Sequence, residues 1–199
     1  MGMRILKWVE TETRLLWLPF LFIGVLILNV LLFFAGVVGS TRLEEWLGFP
    51  LSTMTIDPLD WLFALFLAPA GYILGLLARN GYWISIVLFS ILAAVSEEIV
   101  YRTIPIYVAW RLNSRKLLWV AILASSILFA FGHKGFSSLL IQGVAGVLYS
   151  IAYLKTGGWN GKILKPTLFV IALHVTWNEY VSEEIKAMLD FAIEELPQQ

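Results

Sequence analysis

Residues Gly81 to Trp110 read GYWISIVLFSILAAVSEEIVYRTIPIYVAW, an apolar stretch interrupted past its midpoint by Glu97, Glu98 and Arg102. An ionisable side chain at bilayer depth costs several kcal/mol, about 2.5 to 3.5 on insertion scales, so it is kept where it does something. The chain has only two histidines, His133 and His174, and both also lie in apolar runs. Together these residues predict a buried polar site. As a single helix the run Tyr82 to Trp110 would reach about 43 Å, longer than the roughly 30 Å of bilayer hydrocarbon. A tilted, broken or re-entrant element is therefore predicted near Ser96, with Pro105 as a second break point.

The rest of the chain agrees with a membrane setting. Of its 199 residues 59% are hydrophobic and 14% charged, against about 25% charged in a soluble domain. The fold class predicted is all-α, a multi-pass transmembrane helical bundle of six to eight helices around a buried polar cavity, with the lipid bilayer as main partner. The length leaves no room for a second folded domain. With 14 basic and 14 acidic residues the net charge is zero, so nothing favours a nucleic-acid partner. The absence of cysteine removes disulfides, thiolate zinc sites and thiol nucleophiles.

Apolar runs at Leu15 to Val38, Trp61 to Leu77, Tyr82 to Trp110, Leu117 to Phe131, Ser137 to Leu154 and Pro166 to Val181 are read as helices. The charged flank Met1 to Arg14 has no small-residue cleavage site after it, which makes the first run a retained anchor. Gly39 to Asp60 reads as a polar extramembrane loop, a hinge between anchor and core. Three regions follow: residues 1–80, anchor and loop; 81–181, the core; and 182–199, an amphipathic tail with Ile185, Met188, Leu189 and Ile193 near one face. If every run crosses once, basic residues divide almost evenly between the two sides. A turn within Tyr82 to Trp110, or one crossing fewer upstream, instead gathers Arg111, Arg115, Lys116, Lys155, Lys162 and Lys165 on the side of the N-terminus.

On helices the polar residues fall into pairs. Glu98 and Arg102 are four apart, share a face, and can lessen each other's burial cost. Glu97 is turned about 100° away and needs another partner, for which a histidine is the natural candidate. His174 and Asn178, also four apart, present two hydrogen-bond donors on one face, and paired donors can stabilise an oxyanion. Phe129 lies one turn before His133, where its ring could wall the site. The helices ending in His133 and carrying His174 are separated by one crossing helix, so they run parallel and bring both histidines toward one membrane face.

Three motifs thus follow one another: Glu97-Glu98-Ile99-Val100-Tyr101-Arg102, Phe129-Ala130-Phe131-Gly132-His133 and His174-Val175-Thr176-Trp177-Asn178. In order and spacing this resembles the CAAX protease and bacteriocin-processing family of glutamyl intramembrane endopeptidases, over about Gly81 to Val181. The resemblance implies a hydrolase in which Glu97 acts with His133 to polarise a water, His174 and Asn178 stabilise the oxyanion, and Glu98, Arg102 and Phe129 support the site. It implies a multi-pass protein of a prokaryotic cell membrane. The substrate would be a membrane-associated peptide or protein, either prenylated at a CAAX-type C-terminus or not. Nothing here requires a cofactor or a metal, although two carboxylates and two histidines are also a donor set that zinc accepts. Two other classes stay open: a non-catalytic binding or bacteriocin-immunity protein in which the polar residues are helix glue, and a proton-coupled carrier, which lacks the inverted repeat many carriers show.

Overall fold

The computed structural model describes residue 8, residues 11–48, 82–133 and 138–181, and residue 185, and every regular element among them is helical. A 3₁₀ turn, Leu15–Trp17, leads into α1, Leu18–Leu47. Helix α2 is Tyr82–Glu98, followed by a π-helical turn, Ile99–Thr103, and by α3, Ile104–Arg111. Helix α4 is Arg115–Phe131; a second π turn, Leu139–Gly143, opens α5, Val144–Lys155. Helix α6, Leu164–Thr176, continues into a third π turn, Trp177–Val181. The predicted run Trp61 to Leu77 lies outside the described residues, as does the predicted tail apart from Ile185, which is helical and buried.

One predicted boundary is corrected. Polarity beginning at Gly39 reads as a loop, yet α1 continues to Leu47 and stops at Gly48, whose φ of 75° is the left-handed conformation that suits glycine. Polar residues end an apolar run without ending a helix. The Ser40 and Thr41 hydroxyls donate back to the Val37 carbonyl at 2.9 and 3.0 Å, and Arg42 pairs with Glu45 at 3.0 Å one turn on.

The predicted break near Ser96 is a π turn starting three residues later. The Ile104 N–H reaches back five residues to the Ile99 carbonyl. Pro105, in the first turn of α3, supplies the reason: it has no N–H, and its ring would strike the carbonyl four residues earlier in a regular helix. Widening the turn relieves that clash.

Helix α1 is apolar on the wrong side for water. Phe20, Ile23, Ile27, Leu31, Phe34 and Val38 form an exposed stripe, while Val25, Asn29, Gly36 and Ser40 face the bundle. This reverses the pattern of a soluble helix and suits a hydrocarbon solvent. Among the described residues the helical stretch Leu15–Leu47 alone is long and apolar enough to cross a membrane. With lipid outside, helices associate through close packing rather than through the hydrophobic effect. Gly36 permits one such approach, since a Cβ there would lie 2.6 Å from the Leu140 carbonyl oxygen. A shared core of Ile106, Ile122, Leu148, Tyr153 and Leu173 joins α3, α4, α5 and α6.

One end of the bundle collects basic residues. Thr13 N–H donates to the Lys155 carbonyl at 2.7 Å, and Lys155 Nζ donates to the carbonyls of Trp8 and Thr11 at 2.8 and 2.7 Å. Glu12 pairs with Lys162 at 2.7 Å and with Lys165 at 2.9 Å, and Trp110 at the end of α3 lies against Gly161. The segment before α1 therefore shares its end with the loop after α5 and the turn after α3, as in the second topology read from the loop charges.

Hydrogen bonds from Lys162 and Lys165 lower the Glu12 carboxyl from 4.5 to about 2. A depressed carboxylate contributes stability in full above its unfolded pKa and loses it as pH falls through the folded one. Glu12→Gln is thus expected to lower the thermal midpoint by a few degrees at pH 7, the effect of about 1 kcal/mol for a partly screened pair. Melts of both proteins from pH 7 to pH 2 should show that difference shrinking below about pH 4.5 and gone near pH 2.

Candidate functional site

Glu97 and Glu98 end α2, and Arg102 lies in the π turn that follows. The i,i+4 pair Glu98 and Arg102 therefore spans the change of pitch, and Arg102 Nη1 stands 3.1 Å from Glu98 Oε1 with both side chains sealed from solvent, at 1% and 0% exposure. Neither terminal nitrogen of Arg102 makes a well-aligned hydrogen bond among the described residues. Charge attraction and the face of Phe129, 4.1 Å from the guanidinium carbon, hold it instead. Gly146 on α5 gives the guanidinium its space: a Cβ there would sit 3.1 Å from Arg102 Nη2.

His174, in the last turn of α6, meets both carboxylates. Its Nδ1 lies 2.7 Å from Glu98 Oε1 and its Nε2 lies 3.5 Å from Glu97 Oε2. Helices α2 and α6 pack along this contact. An ionised carboxylate only accepts, so the bond to Glu98 keeps a proton on Nδ1 and turns Nε2 toward Glu97. Glu98 thereby does more than the structural pairing with Arg102 that its spacing suggests: it also orients a histidine. Glu97 does have the histidine neighbour the sequence calls for, and the distances place it beside His174.

His133 follows the end of α4. Its Nδ1 lies 2.8 Å from the Phe129 carbonyl oxygen, which again fixes the proton on Nδ1. The Phe129 ring stands 4.4 Å from the His133 ring and 5.9 Å from that of His174, centroid to centroid. Phe129 is thus the wall common to both histidines. Asn178 is half-buried in the third π turn, one turn beyond His174. Contacts join Glu97, Glu98, Arg102, Phe129 and His174, and the Phe129 ring and carbonyl also meet His133.

Nothing in the sequence singles out Tyr149, yet its buried ring lies 5.8 Å from that of His174 and 5.8 Å from the Arg102 guanidinium carbon. One tyrosine in an apolar run carries no signal of its own, because aromatic residues are common in spans and at their ends.

Zinc does not suit this arrangement. Glu98 Oε1 is already engaged by Arg102 and by His174 Nδ1, and among the described residues no three His, Asp or Glu side chains are grouped to hold a metal ion. What the group offers is a carboxylate facing a histidine, both largely buried, with an arginine fixing the second carboxylate. Such a set can take up and return a proton without a metal.

A family model described as type II CAAX prenyl endopeptidase Rce1-like matches residues 79–180 of the chain, the segment that carries all three motifs. No curated protein and no solved structure matches it.

Proposed function

Because the chain belongs to the Rce1-like family of type II CAAX prenyl endopeptidases, a membrane-embedded protease family, we propose that it is a multi-pass glutamyl intramembrane endopeptidase. The observation that carries this reading is the buried contact of Glu97 and Glu98 with His174, at 3.5 and 2.7 Å, inside the matched segment. Charged groups at such depth are expensive to keep for packing alone.

In this mechanism Glu97 takes a proton from water as the oxygen attacks the scissile carbonyl carbon. His133, with its Nδ1 proton held by the Phe129 carbonyl, presents Nε2 as the second basic group. The carbonyl oxygen becomes an oxyanion, received by His174 Nε2–H and the Asn178 amide. Collapse of the tetrahedral intermediate breaks the C–N bond, and the leaving amine takes up the proton held by Glu97 and His133. The substrate is a membrane-presented peptide, with a prenylated CAAX-type C-terminus as the first to try.

Proteolysis in liposomes, with prenylated and unprenylated peptides and with and without a zinc chelator, tests this. Wild-type protein should cleave at least one peptide at a rate the chelator leaves unchanged. Folded protein that cleaves none would favour a binding or immunity role, and inhibition reversed by zinc would overturn the metal-free mechanism. Asn178→Ala should lower kcat by about 10²-fold with little change in KM, as when one oxyanion donor is removed.

A further inference from the structure

We propose that Asn29, on the anchor helix α1 and outside the family-matched segment, is a positioning residue for the candidate active site, acting on His174 through Tyr149. The inference rests on the functional reading above. Asn29 belongs to the buried face of α1, and its Nδ2 donates to the Tyr149 hydroxyl at 3.3 Å, with both residues only 2% exposed. A carboxamide in an apolar span needs such a partner. What matters is which partner it has.

Tyr149 is anchored at one end by the α5 backbone and at the other by Asn29, so its ring is pinned across the gap between α5 and α1. That ring forms one wall of the His174 imidazole, 5.8 Å away at 55°, and Phe129 forms another, 5.9 Å away at 83°. Glu98 holds Nδ1, so the imidazole has an edge bond and two aromatic walls. Beside Glu97, whose Oε2 lies 3.5 Å from Nε2, the ring can still rock between those walls, which moves Nε2, the atom assigned to the oxyanion. Removing the Asn29 bond releases the hydroxyl end of the Tyr149 ring and loosens one wall. Misplacement of a catalytic group lowers the rate of the chemical step more than it lowers binding.

The two-histidine composition makes the test direct. Imidazole nitrogen spectra of histidine-labelled protein in detergent contain two rings, assigned by His133→Gln. Asn29→Leu and Tyr149→Phe should each shift the His174 signals and leave those of His133 in place. Both should lower kcat for peptide cleavage by about 3- to 10-fold at unchanged KM, and the double variant should be no slower than the worse single one. Unmoved His174 signals in folded variants, or rate losses that multiply, would overturn the proposal. If Asn29→Leu does not fold, Tyr149→Phe deletes the same hydrogen bond by removing one oxygen and decides the question. If wild-type protein cleaves no peptide, the proteolytic reading fails, and the spectra still decide whether Asn29 controls His174.

Discussion

Glu97→Gln is expected to reduce peptide cleavage by about 10⁴-fold, the upper end of what a general base contributes, while moving the thermal midpoint by no more than a few degrees. The two effects separate because of where Glu97 sits. Its side chain keeps 9% of its exposure, and its contact with His174 Nε2, at 3.5 Å, is long for a hydrogen bond. An amide of the same shape therefore fills the same volume and breaks no short bond. It does remove the one property the mechanism asks of this position, a carboxylate that accepts a proton from water. Glu97→Asp should recover part of the rate, since it keeps the carboxylate and withdraws it by one methylene. Single-turnover cleavage in liposomes, read beside circular-dichroism melts, checks both halves. A variant that keeps the wild-type rate would leave Glu97 as packing, and one that loses its fold would make it helix glue.

The helical class and most element positions are legible in the sequence because a bilayer demands long apolar runs whose backbone is satisfied internally. The same criterion misjudges the end of α1, where Ser40, Thr41 and Arg42 leave the apolar run without leaving the helix. Excess length between Tyr82 and Trp110 signals an irregularity, and Pro105 explains its position, but choosing a π turn over a kink depends on how the turn repacks against neighbouring helices. The site shows the same division. The pairing of Glu98 with Arg102 is local and follows from i,i+4 geometry. The bond from His174 to Glu98 joins residues 76 apart, and no spacing rule reaches across two helices whose rotation is set by packing. Family resemblance sets Glu97 to work with His133 and does not foresee that the same carboxylate also stands 3.5 Å from His174. Asn29 and Tyr149 lie beyond reach for a further reason: each is a single polar group in an apolar run, and only their contact gives either one a role.

Arg102→Met should be the most destabilising single change in the site, by about 3–5 kcal/mol, because it strands the Glu98 carboxylate without its cation. For a chain of this length that corresponds to a fall of about 10 °C in the midpoint. Methionine fills much of the same volume against Phe129, so the loss of charge pairing dominates over cavity formation. Pairing it with Glu98→Gln removes the stranded charge, and the double variant should regain most of the lost stability. The amide oxygen at that position can still accept from His174 Nδ1, so α2 and α6 stay joined. Activity should behave differently. Without the full negative charge of Glu98 at 2.7 Å, the His174 ring loses the anionic acceptor that orients and polarises it, and its capacity to donate to an oxyanion falls with it. The double variant is therefore expected to be stable and slow, at least about 10-fold below wild type in kcat. A thermal double-mutant cycle and cleavage assays on the same four proteins read both quantities. Should the double variant melt as low as Arg102→Met, the arginine stabilises through its packing on the Phe129 ring, 4.1 Å away. Stability with wild-type kcat would instead remove the Glu98 charge from the mechanism and leave His174 to act without it.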